Sequence, residues 1–326
     1  RFVAKADISV TGMTKGTDTL SIGDITGYSR NAGSNDLLID GDYDVVVKDF
    51  FATAGDIIVD SVSTSEMTLN VALNTSSAYT GTGYNEVLSG QGAVSGLNSS
   101  DKLNLGGADF TLARTYDGVN NNALKVNYAG KTITISDYYT SESKIDTVDT
   151  TGHISAERVT VDAYVDFPAS AGVKEDIIVK GNINVSGMDS DDTLTVAGTT
   201  TFTRNKLTDN TLTITGSNTV NITDFFDGTT HRPSEINDVA TADYMLANTL
   251  TVTGYVDYDA EGQGFGAYNI QGASTTVAGE LIGNGGNDTI TAGAAGDTIT
   301  GNHGTDTLIG GAGHDTFVFA SGDGAD

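Results

Sequence analysis

The chain contains no cysteine and no tryptophan, and only two of its 326 residues are proline. The absence of cysteine excludes disulfides, thiolate metal sites and thiol catalysis together, and leaves the redox compartment open. Basic residues are scarce: 16 Lys and Arg stand against 43 Asp and Glu, a formal net charge of -27. A chain this acidic repels nucleic acid and anionic membrane surfaces, so neither is expected as a partner. No apolar run approaches the roughly 20 residues that a membrane helix needs. No signal peptide is visible, and the chain begins at Arg1 rather than at Met. Catalytic signatures are missing as well. His153, His231, His303 and His314 are the only histidines, and no HExxH, GxSxG or P-loop phrase surrounds them. Carboxylates are too plentiful for one pair to stand out as a glycosidase dyad. The chain is therefore expected not to be an enzyme.

What is present is short-period β pattern. Alternating runs rich in Val, Ile and Thr fall at 37–39, 44–47, 68–71, 132–135, 158–161, 211–214, 219–222 and 249–252, separated by Gly, Asn, Asp and Ser. Such runs predict an all-β fold with almost no helix. Phrases also recur. DYDVVVKDFF ends at Phe51, AGKTITISDYY at Tyr139 and GSNTVNITDFF at Phe226, anchored on Asp49, Asp137 and Asp224. Upstream of these lie VTGMTKGTDTLSI around Asp18, VSGLNSSDKLNL around Asp101 and VSGMDSDDTLTV around Asp192. The period of roughly ninety residues predicts tandem modules at 1–90, 91–180 and 181–280, followed by a different segment at 281–326. Adjacent strand residues face opposite sides. One ring of each aromatic pair should therefore enter its module's core, leaving the other free to pack on the neighbouring module.

The last segment has a shorter period. From Gly283 it reads GNGGNDTIT, AGAAGDTIT, GNHGTDTLI, GGAGHDTFVF. Asp288, Asp297, Asp306 and Asp315 recur at intervals of nine, and Ile290, Ile299, Leu308 and Phe317 each follow two residues later. This G-G-x-G-x-D-x-U-x pattern resembles the repeats-in-toxin (RTX) family of secreted bacterial proteins. The resemblance implies a parallel β-roll in which turns eighteen residues apart stack and surround Ca²⁺ with oxygen. On that register Asp288 shares an ion with Asp306, and Asp297 with Asp315, while the apolar positions fill a narrow core. Gly283, Gly285, Gly301, Gly310 and Asp323 complete the implied metal set. Ala292 and Ala295 depart from the pattern and put the second turn in doubt.

The modules also resemble segments that follow RTX repeats, D-K-L-x-L through I-x-I-x-D-F/Y-F/Y, most fully from Asp101 to Tyr139. GTGYNEVLS at 81–89 is a degenerate nonapeptide with Glu86 in the Asp place. Asp40, Asp42 and Asp44, and Asp257, Asp259 and Glu261, look like openings of EF-hand loops. They have Phe51 and Tyr268 where the acidic twelfth residue belongs, so they read as solvated acidic turns or looser calcium sites. Asp18, Asp101 and the cluster Asp189, Asp191 and Asp192 read as turn caps.

The expectation is three tandem β-modules ending in a short calcium-binding β-roll, a segment of a longer chain. Its implied role is a calcium-dependent structural part of a large type I-secreted, extracellular bacterial cell-surface protein, of surface-layer or adhesin type. The partners would be calcium and either further copies, in a lattice or filament, or a surface glycan. The alternative is the calcium-binding C-terminal region of a secreted RTX hydrolase or cytolysin.

Overall fold

A computed structural model describes residues 1–140, 145, 147–148, 152–154 and 157–326. The chain is all-β. Strand Thr68–Leu73 shows why: its residues alternate exposed and buried, so Leu69, Val71 and Leu73 all face inward. Among the described residues there is one α-helix, Thr241–Leu246. It buries Met245, and the Thr241 hydroxyl donates to the Pro233 carbonyl at 2.6 Å. The helix was not apparent from the strand pattern.

The chain divides into two compact units, Arg1–Arg114 with Asn120–Val159, and Thr115–Val119 with Thr160–Asp326. In the first unit a nine-stranded sheet includes Asn85–Gly90, Thr68–Leu73, Gly27–Asn31, Leu37–Asp40, Val45–Val47 and Ile8–Val10 as successive neighbours. The pairings combine two kinds of connection. Gly27–Asn31, Leu37–Asp40 and Val45–Val47 form an antiparallel meander, whereas Ile8–Val10 joins Val45–Val47, and Gly27–Asn31 joins Thr68–Leu73, in parallel. The second unit repeats this. Thr201–Asn205, Leu212–Thr215 and Thr219–Ile222 make the meander, flanked in parallel by Thr249–Tyr255 and Ile183–Ser186. Phe110–Tyr116, Leu124–Tyr128 and Lys131–Ile135 make a third, with Gly92–Ser95 parallel to its last strand. Each recurring phrase is therefore a meander set into a parallel coil.

The aromatic pairs end these meanders, and the structure shows what holds each second ring. Phe50, Tyr138 and Phe225 are buried, and each meets its neighbour edge to face. The second ring has a partner within its own module. An arginine from the first meander strand covers it: Arg30 lies 4.3 Å from the Phe51 ring centre, Arg114 3.6 Å from Tyr139 and Arg204 4.1 Å from Phe226. Each arginine Nε also donates to a carbonyl in the hairpin loop, at Ser34, Asn121 and Asp209 respectively. The following residue's carbonyl, at Asn35, Asn122 and Asn210, accepts the amide of Phe51, Tyr139 or Phe226. The planar guanidinium thus joins loop to ring, which a lysine cannot reproduce. Arg204→Ala is expected to cost the second unit about 2–4 kcal/mol, combining a charged hydrogen bond with a cation–π contact. Arg204→Lys should recover little of that in a denaturant melt. A lysine variant as stable as the wild type would show that the stack has no specific role.

In the second unit the tail prolongs an existing sheet. Thr249–Tyr255, Ala267–Gly272, Thr289–Thr291 and Thr307–Ile309 pair in parallel, one after another. A second sheet takes the alternate strands Tyr258–Asp259, Glu280–Ile282, Thr298–Thr300 and Thr316–Val318. Ile270, Ile290 and Leu308 stack in register on one side, and Leu281, Ile299 and Phe317 on the other. Ile290 and Ile299 are fully buried, but Leu308 is half-buried and Phe317 is 40% exposed. The core expected from the apolar positions thus holds for the first two repeats. It thins at the last coil, which has a stacked neighbour on one side only.

Candidate metal centre

The first two nonapeptide turns are closed by their aspartates. Asp288 Oδ2 accepts the Asn284 amide at 2.6 Å, and Asp297 Oδ2 accepts the Gly293 amide at 2.9 Å. The other oxygen reaches one coil back: Asp288 Oδ1 accepts the Tyr268 amide at 2.7 Å, and Asp297 Oδ1 the Gly279 amide at 2.8 Å. The ladder continues forward at the eighteen-residue interval. The Asp288 amide donates to Asp306 Oδ1 at 2.8 Å, and the Asp297 amide to Asp315 Oδ1 at 2.9 Å. The structure therefore brings together the two pairs expected from the register. Asp323 is buried in the last turn, where its carboxylate accepts the Ala320 amide.

Glycine leaves room beside these carboxylates. A side chain at Gly283 would stand 2.4 Å from Asp288 Oδ2 and 2.6 Å from the Gly301 carbonyl. At Gly301 it would stand 2.3 Å from Asp306 Oδ2, and at Gly310 2.6 Å from Asp315 Oδ2. These positions keep an oxygen-lined cradle open. Ala292 places a methyl group at the corresponding position before Asp297. Gly285 is exposed, with open space where its side chain would be. Asn302 adopts left-handed backbone at φ 69°, a conformation asparagine tolerates. Asn284 does not; its side chain instead accepts from Gly286 and donates to Phe265.

The electrostatics call for a cation. Burial pushes the Asp288 carboxyl up, with the Asp306 charge adding and the Asn284 and Tyr268 amides opposing. Burial also pushes Asp306 up, reinforced by the charges of Asp326 and Asp323. Asp306 Oδ2 is buried with no hydrogen-bond partner. A buried carboxylate oxygen without a donor is costly unless a cation meets it. Among the described residues no three His, Asp or Glu side chains converge on one point. An ion here would therefore combine few carboxylates with main-chain oxygens, a donor set suited to calcium. Asp288, Asp297, Asp306 and Asp315 would hold it, with turn carbonyls such as that of Gly301.

Residues 282–317 match the RTX calcium-binding nonapeptide repeat, in four copies. The chain carries an RTX calcium-binding repeat. It marks a calcium-binding region of a secreted-type protein, since RTX repeat proteins are typically secreted. No curated protein and no solved structure matches the chain. Among the described residues no helix is long and apolar enough to cross a membrane.

Outside the RTX repeat the other acidic groups separate clearly. Asp40, Asp42 and Asp44 are exposed, as are Asp257, Asp259 and Glu261; Asp257 caps the Glu280 amide and Asp259 the Glu261 amide. Asp18, Asp101 and Asp192 cap their turns through the amides of Thr14, Asn98 and Asp189. Asp101 and Asp192 do more than the sequence suggested. Their second oxygens accept the amides of Glu86 and Glu175, repeating the coil-to-coil ladder of the RTX aspartates. Burial pushes Asp101 up to about 6, with the Glu86 charge adding and the capped amides opposing. Asp326 Oδ1 accepts the Asp306 amide at 3.1 Å, a ladder contact hidden by its spacing of twenty rather than eighteen.

Proposed function

We propose that this chain is a structural segment of a type I-secreted bacterial cell-surface protein, of surface-layer or adhesin type, whose coils lock when they meet extracellular calcium. The supporting observation is the continuous parallel pairing from Thr249–Tyr255 through Ala267–Gly272 into Thr289–Thr291, which shifts register only between Thr253 and Tyr255. The first RTX strand is hydrogen-bonded to a module strand, so order gained in the repeat is passed directly to the coil below it. In this reading the segment supplies architecture rather than catalysis.

The mechanism is linkage. Calcium that binds only the folded form stabilises it by about 2.7 kcal/mol per site at a hundredfold excess over Kd. A few such sites are decisive against a net stability of about 5–15 kcal/mol. In low calcium the repeat stays loose and exportable; outside the cell it folds. The partners are then calcium and, through surfaces presented after folding, further copies in a lattice or filament or a surface glycan. The test is electron microscopy and size analysis of the chain with calcium and with EGTA. Sheets or filaments that appear in calcium and disperse in EGTA support the reading. A chain whose fold and assembly state are indifferent to calcium would sink it.

A further inference from the structure

A second turn in the molecule has the build of the RTX turns but lies far outside residues 282–317. Glu86 is fully buried in the first unit, and its amide donates to Asp101 Oδ1 at 2.9 Å, as the Asp288 amide does to Asp306. Its Oε1 is fully used. It accepts from the Tyr79 hydroxyl at 2.6 Å, the Thr82 amide at 2.9 Å and the Thr82 hydroxyl at 2.6 Å. The Thr82 contact is the same four-residue turn closure that Asp288 makes with Asn284. Oε2 is buried with no partner at all.

Glycine again supplies the opening. A side chain at Gly81 would stand 2.4 Å from the Gly96 carbonyl oxygen and 3.2 Å from Glu86 Oε2. Gly96 lies one coil beyond Gly81, as Gly301 does beyond Gly283: the Gly81 amide donates to Ser95, and the Gly283 amide to Thr300. The cradle therefore matches in three respects, an absent side chain, a carbonyl from the next coil and a carboxylate oxygen. The longer Glu reaches it from the Asp position.

The second unit provides a natural comparison. Strand Phe167–Pro168 pairs with Ile183–Ser186 as Tyr79–Thr80 pairs with Gly92–Ser95, which places Phe167 at Tyr79 and Ala169 at Gly81. Glu175 takes the place of Glu86: its amide donates to Asp192 Oδ1 at 3.1 Å, and its side chain accepts the Ser170 amide at 3.0 Å. In that copy Ala169 stands where Gly81 stands in the first, and Phe167 has no hydroxyl. The buried glutamate is kept while the glycine is not. The open cradle at Gly81 is thus not a by-product of burying a glutamate in this coil.

We propose that the turn at 81–86 holds a calcium ion of its own, between the unpaired Oε2 of Glu86 and the Gly96 carbonyl, with Asp101 positioning the turn from the next coil. A full-length carboxylate oxygen buried without a donor is the feature a hard cation satisfies. The site would stiffen the first unit as the RTX repeat stiffens the second.

The test is calcium stoichiometry of the whole chain by equilibrium dialysis, for the wild type, Glu86→Gln, Gly81→Ala and Glu175→Gln. Glu86→Gln is isosteric, and Gly81→Ala installs the residue found at the second copy. Each is expected to bind one calcium fewer than the wild type, with circular dichroism unchanged. Glu175→Gln is expected to keep the full count. If Gly81→Ala misfolds, Glu86→Gln still decides. Because the chain has no tryptophan, terbium emission excited through tyrosine gives an independent reading, and it should fall in Glu86→Gln. An unchanged count in Glu86→Gln would overturn the assignment. So would an equal loss in Glu175→Gln, which would trace the effect to buried charge rather than to the cradle.

Discussion

Alanine in place of Asp288 is expected to cost the unit that holds Thr160–Asp326 about 4–6 kcal/mol in calcium, combining one orphaned buried amide with one lost ion, while the part-buried Asn284 amide can turn to water. The carboxylate holds the amides of Tyr268 and Asn284 at once. Tyr268 is 1% exposed, so water does not reach it in the intact coil. Each buried N–H left without an acceptor costs roughly 1–3 kcal/mol, and the calcium contribution is lost in addition. In EGTA the variant should show only the amide part of the penalty. Hydrogen exchange is the direct readout. The Tyr268 and Asn284 amides should lose protection first, while Phe202 and Ile214 in the meander stay protected. Wild-type exchange at Tyr268 in the variant would contradict the role given to Asp288.

Much of this was legible because some of the physics is local. A turn that must place a carboxylate at one fixed point repeats Asp at intervals of nine, and glycine is needed where a side chain would enter the cradle. The same logic exposed Glu86 from GTGYNEVLS alone, although its fully buried setting and its free oxygen needed coordinates. The arginine stacks were not legible. Arg30, Arg114 and Arg204 precede their rings by 21, 25 and 22 residues, because the hairpin loop between them varies in length while the contact does not. Nor did the alternating runs distinguish an antiparallel meander from a parallel coil. Both bury every second residue, and the direction of pairing depends on the connections. Leu308 and Phe317 fit the repeat as well as Ile290 and Ile299 do; their exposure reflects what stacks on them, which no residue pattern encodes.

These features give the acidic composition a purpose. Buried carboxylates such as Asp288, Asp306 and Glu86 oppose folding of the calcium-free chain, and the same groups favour it once a cation is bound. In the proposed mechanism the net charge of -27 is part of a switch. In that mechanism self-repulsion and desolvation hold the repeat open at low calcium, and binding relieves both.

Asp306→Asn tests that claim most directly. Asp306 Oδ1 accepts the Asp288 amide, and Oδ2 accepts nothing. Asparagine can keep the first contact and place its amide group at the second position, so the change removes charge and leaves the ladder intact. Because burial raises the folded-state pKa of Asp306, its charged form is a burden in the calcium-free fold at neutral pH. That burden is absent below the unfolded-state value and grows as pH rises through the folded one. Thermal unfolding at pH 7 should therefore show a reversal of sign. In EGTA the variant should be as stable as the wild type or more so. In saturating calcium it should be less stable, by about 2–3 kcal/mol if one ion at a hundredfold excess over Kd is lost. If calcium raises the midpoint of the wild type and the variant by the same amount, Asp306 holds no ion and the account is wrong.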